Sequence, residues 1–341
     1  MTLITQAPGP APAPPDLPDL PREVAAGRTP GDHVFRHGTR IVGALVLVIT
    51  GSIGLFLGYQ SIPTLQRYGI RFFTESDWQP EQNVVGISAV LLGTVQVSVV
   101  ALLLAFPLAL MSALYITEYA PAKLRSSLVS LVDLMAAVPS IIWGLWGLFL
   151  VQPHAIYVAR WIHEYLGWIS IFQVDTDPHA AAWAQTRYTA SVFIAAIAVS
   201  MMVLPMACAV MRGVFAQAPI SEREAALALG GTRWGAVRAV VIPFGRGGII
   251  GGTMLALGRA LGETIAVVLI ISPAYDLKVR VLEVGTQTIS ALIAGRFGEA
   301  GSAQLSALLT AGFVLFLITL ATNTVAAVFV NRSRSGAATE I

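Results

Sequence analysis

Six apolar runs, at residues 41–60, 88–115, 127–151, 189–211, 247–272 and 305–330, constrain this chain more than any other feature. Each is about 20 residues or longer, the length a helix needs to cross the hydrocarbon of a bilayer. Backbone in that medium has no water to bond, and a helix satisfies its N–H and C=O groups within itself. The composition agrees, with 55% of the 341 residues hydrophobic and only 12% charged. The chain reads as an all-α polytopic membrane protein with six transmembrane helices.

Basic residues set its orientation. Thirteen Lys and Arg fall in residues 1–40, the 116–126 loop, the 212–246 loop and the C-terminus, against seven in the opposite loops. The side richer in Lys and Arg faces the cytoplasm, so both termini and the 212–246 loop are expected there. Residues 1–35 hold eight of the nineteen prolines with almost no apolar periodicity, and read as a disordered cytoplasmic tail. They are no signal peptide, because the apolar run begins only near residue 41. The organisation expected is a tail over 1–35, a first helix and outer loop over 36–87, a core over 88–332 and a second tail over 333–341. The single cysteine, Cys208, lies inside an apolar run and reads as a small buried hydrophobe. His33 and His37 have helical i, i+4 spacing but no third ligand nearby. In the outer loop, Tyr157, Trp161, Tyr165 and Trp168 recur every three or four residues, which suits a short helix anchored at headgroup depth. The basic residues form no stripe interleaved with aromatics, so nothing points to nucleic acid.

Within the 212–246 loop, Ser221 to Pro243 reads as helix, turn, helix. Ser221 and Glu224 have the spacing of a capping box, Gly230 and Gly231 supply a positive-φ stop, Thr232 can cap a second helix, and Pro243 marks its end. The first helix is too short to be stable alone in water and shows Ala225, Ala226 and Leu229 on one side, so another backbone can come close. It is built to dock. The run Glu224-Ala225-Ala226, three residues, Gly230, nine residues, Val240-x-Ile242-Pro243 resembles the E-A-A-x3-G-x9-I-x-L-P loop of ABC importer permeases. That resemblance implies that the loop is cytoplasmic and inserts into a groove on an ATP-hydrolysing subunit.

No phosphate cradle of the G-x-x-x-x-G-K-[ST] type exists, because the only lysines, Lys123 and Lys278, are followed by Leu124 and Val279. His163-Glu164 opens like a zincin site, but Gly167 stands where the second histidine must be. Energy for transport must come from another subunit or an ion gradient. Three charges lie inside the spans: Asp133, Arg259 and Glu263. Counted from the cytoplasmic ends they sit about 9, 18 and 24 Å deep. Charge there is costly, so these residues are candidates for a substrate pathway. Arg259 and Glu263 are spaced to pair on one helix face, a pairing that packing alone could also require.

Around these charges the resemblance narrows. Phe72–Pro80 (FFTESDWQP), Thr117–Pro121 (TEYAP), Ala137–Gly147 (AVPSIIWGLWG) and Gly258–Thr264 (GRALGET) are similar to the phosphate-specific ABC importer permease of the C type, over about residues 36–332. Asp133 stands where that family is expected to have Glu, and Trp143 where it has Tyr. The resemblance implies the fold of a type I importer permease, MetI-like, carrying phosphate. It implies a second permease subunit of the A type, a dimer of ABC ATPases that binds ATP and Mg, an extracytoplasmic phosphate-binding protein, and no cofactor in this chain. Arg259, Glu263, Asp133 and Thr264 would line the pathway; Pro139 and Ser140 would form a hinge or gate; Glu224, Ala225, Ala226, Gly230 and Pro243 would couple to the ATPase. The alternatives are a permease for sulfate or molybdate and, from another class, an ion-coupled secondary transporter using the same buried charges.

Overall fold

The computed structural model describes residues 30–175 and 185–333, with side chains described over 31–175 and 186–330. The chain divides into two compact units, Met1–Ser52 and Ile53–Ile341. In the first, residues 30–52 form the start of helix α1 (Pro30–Tyr68), with every described side chain exposed. Residues 30–35 are therefore helical and not part of a disordered tail; the rest of that expectation lies outside the described residues.

The second unit holds the remaining helices: α2 (Arg71–Thr74), α3 (Ser88–Leu114), α4 (Ala122–Ala137), α5 (Ser140–Trp146), α6 (Gln152–Leu166), α7 (Val192–Phe215), α8 (Ile220–Ala228), α9 (Arg233–Ala236), α10 (Ile242–Phe244), α11 (Arg246–Leu261), α12 (Ile265–Ile270), α13 (Ile289–Arg296) and α14 (Ser302–Ser333). The only strands among the described residues, β1 (Trp78–Gln79) and β2 (Val84–Val85), form a two-residue antiparallel hairpin, so the class is all-α as expected. Five helices are long and apolar enough to cross a membrane, and a sixth crossing comes from Arg233–Phe244 with Arg246–Leu261, a pair bent by 67°.

Two expected spans are broken. The run at 127–151 divides at Val138 and Pro139, because a proline lacks the N–H that a continuing helix would need. The run at 247–272 ends as α11 at Leu261, with Gly262 as cap, and resumes as α12 only at Ile265. The aromatics Tyr157, Trp161, Tyr165 and Trp168 are exposed, but Trp168 stands past the helix end at Leu166 and the helix is no separate interfacial element. It continues α5 through a π-helical turn at Gly147–Val151, giving one helix from Ser140 to Leu166.

The core is the pairing of α3 with α7. Ala101, Ala105, Ala109 and Ala113 recur every fourth residue on α3 and are fully buried. Without a hydrophobic force between helices in lipid, such small residues let backbones approach and gain dispersion contacts. Glycine does the same between α7 and α11: a Cβ at Gly248 would lie 2.5 Å from Val214 Cβ, and one at Gly252 3.0 Å from the Ala207 carbonyl oxygen. Phe72 and Trp78, from the FFTESDWQP segment, are buried in a second cluster with Ile289, Leu292 and Leu308.

Between α12 and α13, residues 272–288 are strapped to the helices. Val281 N–H donates to Ile171 O at 3.0 Å, and Gln96 Nε2 to Lys278 O at 2.9 Å. Glu283 draws Arg280 to 3.1 Å and Lys278 to 3.3 Å, and Asp175 approaches Arg280 at 3.2 Å. Hydrogen bonds to Glu283 and then to Asp175 hold the Arg280 guanidinium above its ordinary value.

Candidate functional site: two helix breaks and a helical loop

The two broken spans lie side by side. A Cβ at Gly144 would come within 2.8 Å of Ala266 Cα, and one at Gly147 within 2.5 Å of Ile270 Cδ1 and 2.9 Å of Ala198 Cβ on α7. Helices α5 and α12 therefore run parallel, which puts Pro139 and Ser140 at the level of Gly262 and Glu263. Pro139 caps the start of α5 and is exposed; Ser140 is the first helical residue and is half-buried. Breaks of this kind leave free backbone groups, tolerated in a membrane only where protein or a water-filled cavity meets them.

Arg259 and Glu263 do not pair, contrary to the i, i+4 expectation. Gly262 ends α11 with φ −90° and ψ −1°, so Glu263 no longer shares a helix face with Arg259. Glu263 is 8% exposed and its Oε1 accepts the Ala266 N–H at 3.2 Å, capping α12. Thr264 Oγ1, half-buried beside it, donates to Gly262 O at 3.2 Å. Arg259 is exposed, and among the described residues it has neither an ion pair nor a hydrogen bond. Beside it, Gly258 faces Asn323 of α14, whose Oδ1 would lie 3.4 Å from an added Cβ.

Asp133 is held by Arg212 of α7 at 3.4 Å; its side chain is 54% exposed and that of Arg212 20%. The antiparallel register of α7 and α11, read from Gly248 against Val214 and Gly252 against Met211, places Arg212 roughly 13 Å from Arg259 along the helix axes, toward the α8 loop. Of the four expected pathway residues, Glu263 and Thr264 meet at the helix breaks, Arg259 lies about one turn below, and Asp133 lies apart. Arg212 was visible in the sequence only as a basic residue near a loop.

The 212–246 loop folds as helix, turn, helix. Helix α8 begins at Ile220, one residue before the expected cap, with Pro219 as N-cap and no side-chain cap bond. Ser221 therefore sits inside the first turn and closes no capping box with Glu224: Pro219 already holds φ at −57° and its carbonyl accepts the Arg223 N–H at 3.3 Å. The turn matches expectation at Gly230, whose φ is +84°. Gly231 N–H donates to Ala226 O at 3.1 Å and Gly230 N–H to Leu227 O at 3.0 Å, the paired bonds of a Schellman motif. Gly231 itself does not take a positive φ. Thr232 Oγ1 accepts the Gly235 N–H at 3.1 Å, the second cap foreseen. The helix then runs through α9, a π-helical turn at Val237–Val241 and α10, and stops at Phe244, one residue past Pro243. Gly245 permits the 67° bend that follows, since a Cβ there would lie 2.3 Å from the Phe215 ring. Glu224, Ala225, Gly230 and Pro243 are exposed and Ala226 is half-buried. Around them stand Ile220, Leu227, Leu229 and Trp234, all exposed, Leu229 to 89%.

One contact escaped the sequence reading altogether. Arg223 of α8 turns inward and reaches Glu118, in the π-helical turn Tyr115–Tyr119 after α3, at 3.2 Å.

Residues 105–335, which contain both helix breaks and the whole 212–246 loop, match the family described as the binding-protein-dependent transport system inner membrane component. The chain belongs to this family. Its membership makes it a multi-pass membrane transport component, in keeping with the five to six spanning helices. Among curated members, it is 36% identical over 300 residues to the phosphate transport system permease protein PstC 2 of Mycobacterium tuberculosis, covering 87% of this chain and 90% of that one. It is 37% identical over 291 residues to the phosphate transport system permease protein PstC of Xylella fastidiosa, covering 85% and 87%. A chain of the inward-facing MetNI methionine ABC transporter shares the fold of this family member with a TM-score of 0.51 at 14% identity, over 75% of this chain and 99% of that one.

Proposed function

We propose that this family member is the permease subunit of an ATP-driven ABC importer that moves inorganic phosphate across the cell membrane. The observation that carries the ABC reading is the α8 loop. A nine-residue helix closed by a Schellman turn, with Ile220, Leu227, Leu229 and Trp234 exposed beside charged neighbours, has apolar surface that water does not favour. A groove on an ATPase would cover it in the helix-in-groove manner. The cargo reading follows from relatives named for phosphate transport and from Arg259, a guanidinium inside a membrane span with no counter-ion among the described residues. Such a group offers a dehydrated oxyanion paired N–H donors and a charge that does not titrate away.

The machine would then hold a second permease subunit of the A type, two ABC ATPases that bind ATP and Mg, and an extracytoplasmic phosphate-binding protein, with both termini of this chain in the cytoplasm. Closure of the ATPase pair would pull α8 and swing the helices at Pro139–Ser140 and Gly262–Thr264 between inward- and outward-facing arrangements.

The test replaces Ala226 with Glu in the assembled importer. Ala226 is half-buried on a helix outside the membrane spans, so the membrane helices should insert normally while ATPase co-purification and phosphate uptake are lost. Normal uptake with the ATPase still attached refutes the docking role. Uptake that survives removal of the ATPase and follows the membrane potential establishes the ion-coupled class instead, and sulfate uptake in place of phosphate changes the cargo while keeping the machine.

A further inference from the structure

We infer that Arg223 is the positioning residue through which α8 moves the membrane helices, with Glu118 as its counter-charge. This rests on the docking role proposed for α8 and adds the route by which movement leaves it.

Helix α8 buries no residue and packs on the π-helical turn Val237–Val241 of its own loop. Its polar ties to the membrane helices centre on Arg223. Nη2 donates to the carbonyl of Phe215, the last residue of α7, at 2.6 Å, and Nη1 lies 3.2 Å from Glu118 Oε1. Both side chains are largely shielded, 22% and 13% exposed, whereas Glu222 and Glu224 on the same helix are exposed. The one basic side chain of α8 is thus turned away from the face offered for docking and toward the α3–α7 pair.

The receiving end is stiff. Arg125 of α4 donates from Nε to Ile116 O at 2.9 Å and from Nη2 to Thr117 O, and Thr117 Oγ1 donates to Ala113 O at 2.9 Å. A displacement of Glu118 must therefore carry the end of α3 and the start of α4 with it. From there α3 reaches α7 along its buried alanines, and α4 leads to the break at Pro139. Along the chain, α8 joins α7 through residues 216–219, where the N–H groups of Ala216, Gln217 and Ala218 bond back to the carbonyls of Arg212, Val214 and Phe215, and Arg223 braces that same end of α7. On its other side α8 continues through the Schellman turn, α9, a π-helical turn and the Gly245 bend.

The contact also has the character of a joint. Arg223 Nε and Glu118 Oε1 are buried without a hydrogen bond, so the pair is held by charge and not by the two-pronged fork that Arg and carboxylate can form. Charge attraction falls slowly with distance and survives small sliding, where a directional fork would not.

The experiment uses the complete importer in proteoliposomes, reading uptake of labelled inorganic phosphate per ATP hydrolysed and ATPase co-purification. Glu118→Gln, nearly isosteric, and Arg223→Gln should each leave the ATPase attached and ATP hydrolysis near normal while uptake per ATP falls about tenfold, within the usual range of coupling between sites. The charge exchange Glu118→Arg with Arg223→Glu should recover most of the loss, and Arg223→Lys part of it. Unchanged uptake per ATP in both single variants overturns the inference. So does loss of the ATPase from either, because Arg223 would then serve docking, or a fall in assembled complex that the charge exchange fails to restore. Ala226→Glu, run alongside, isolates the docking reading: if that variant retains the ATPase, the role of α8 fails before the role of Arg223 is reached.

Discussion

Arg259 and Glu263 were expected to neutralise one another, and the structure separates them, which gives opposite consequences for their removal. Glu263 accepts the Ala266 N–H at 3.2 Å while 8% exposed. Glu263→Ala removes the cap, a loss of about 1 kcal/mol, and leaves a small cavity besides. Glu263→Gln keeps a carbonyl acceptor and loses only the attraction of a carboxylate for a helix N-terminus, about 0.3–1 kcal/mol. Arg259 supports nothing among the described residues, so Arg259→Gln should change stability by no more than about 0.5 kcal/mol. If the guanidinium meets the phosphate, however, losing a hydrogen bond between charged groups costs about 1.5–3 kcal/mol, equivalent to roughly 10- to 150-fold in rate. The assays are the thermal midpoint of the purified importer and phosphate uptake in proteoliposomes. Arg259→Gln should melt like the unaltered complex and transport far less; Glu263→Ala should melt lower. The reasoning fails if Arg259→Gln is destabilised as much as Glu263→Ala, or if Arg259→Gln with Glu263→Gln restores uptake, since either result means that the two charges lean on one another after all.

A methyl group at Gly93 would lie 2.2 Å from the Gln287 carbonyl oxygen, so Gly93→Ala should destabilise by about 1–3 kcal/mol, read as a lower thermal midpoint. Thr232→Ala removes the cap on the Gly235 N–H and should cost about 1 kcal/mol, seen as faster amide exchange over residues 233–236 without loss of the membrane helices. Gly230→Ala forces a side chain into φ +84° and should loosen the turn that presents α8, weakening ATPase retention at unchanged expression.

Hydropathy and local backbone preference act over a handful of residues, and what they govern was legible in the sequence. The apolar runs became helices because backbone in lipid must bond within itself. Gly230 and Thr232 ended one helix and began the next because φ and cap chemistry are properties of single positions. Even Pro139 announced its break. The start of α8 went the other way at Ser221, because Pro219 two residues earlier offered a competing start. Which charges meet is a different matter. A span boundary misplaced by one helical turn shifts a side chain by about 5 Å, more than any hydrogen bond tolerates, so depth counting could not choose between partners for Asp133. The packing of α4 on α7 chose Arg212, 79 residues away. The end of α11 at Gly262 turned Glu263 from a partner of Arg259 into the cap of α12, and the fold of the 212–246 loop brought Arg223 to Glu118. Helices are written in short stretches of sequence, but the meeting of two charges on different helices is decided by how those helices pack.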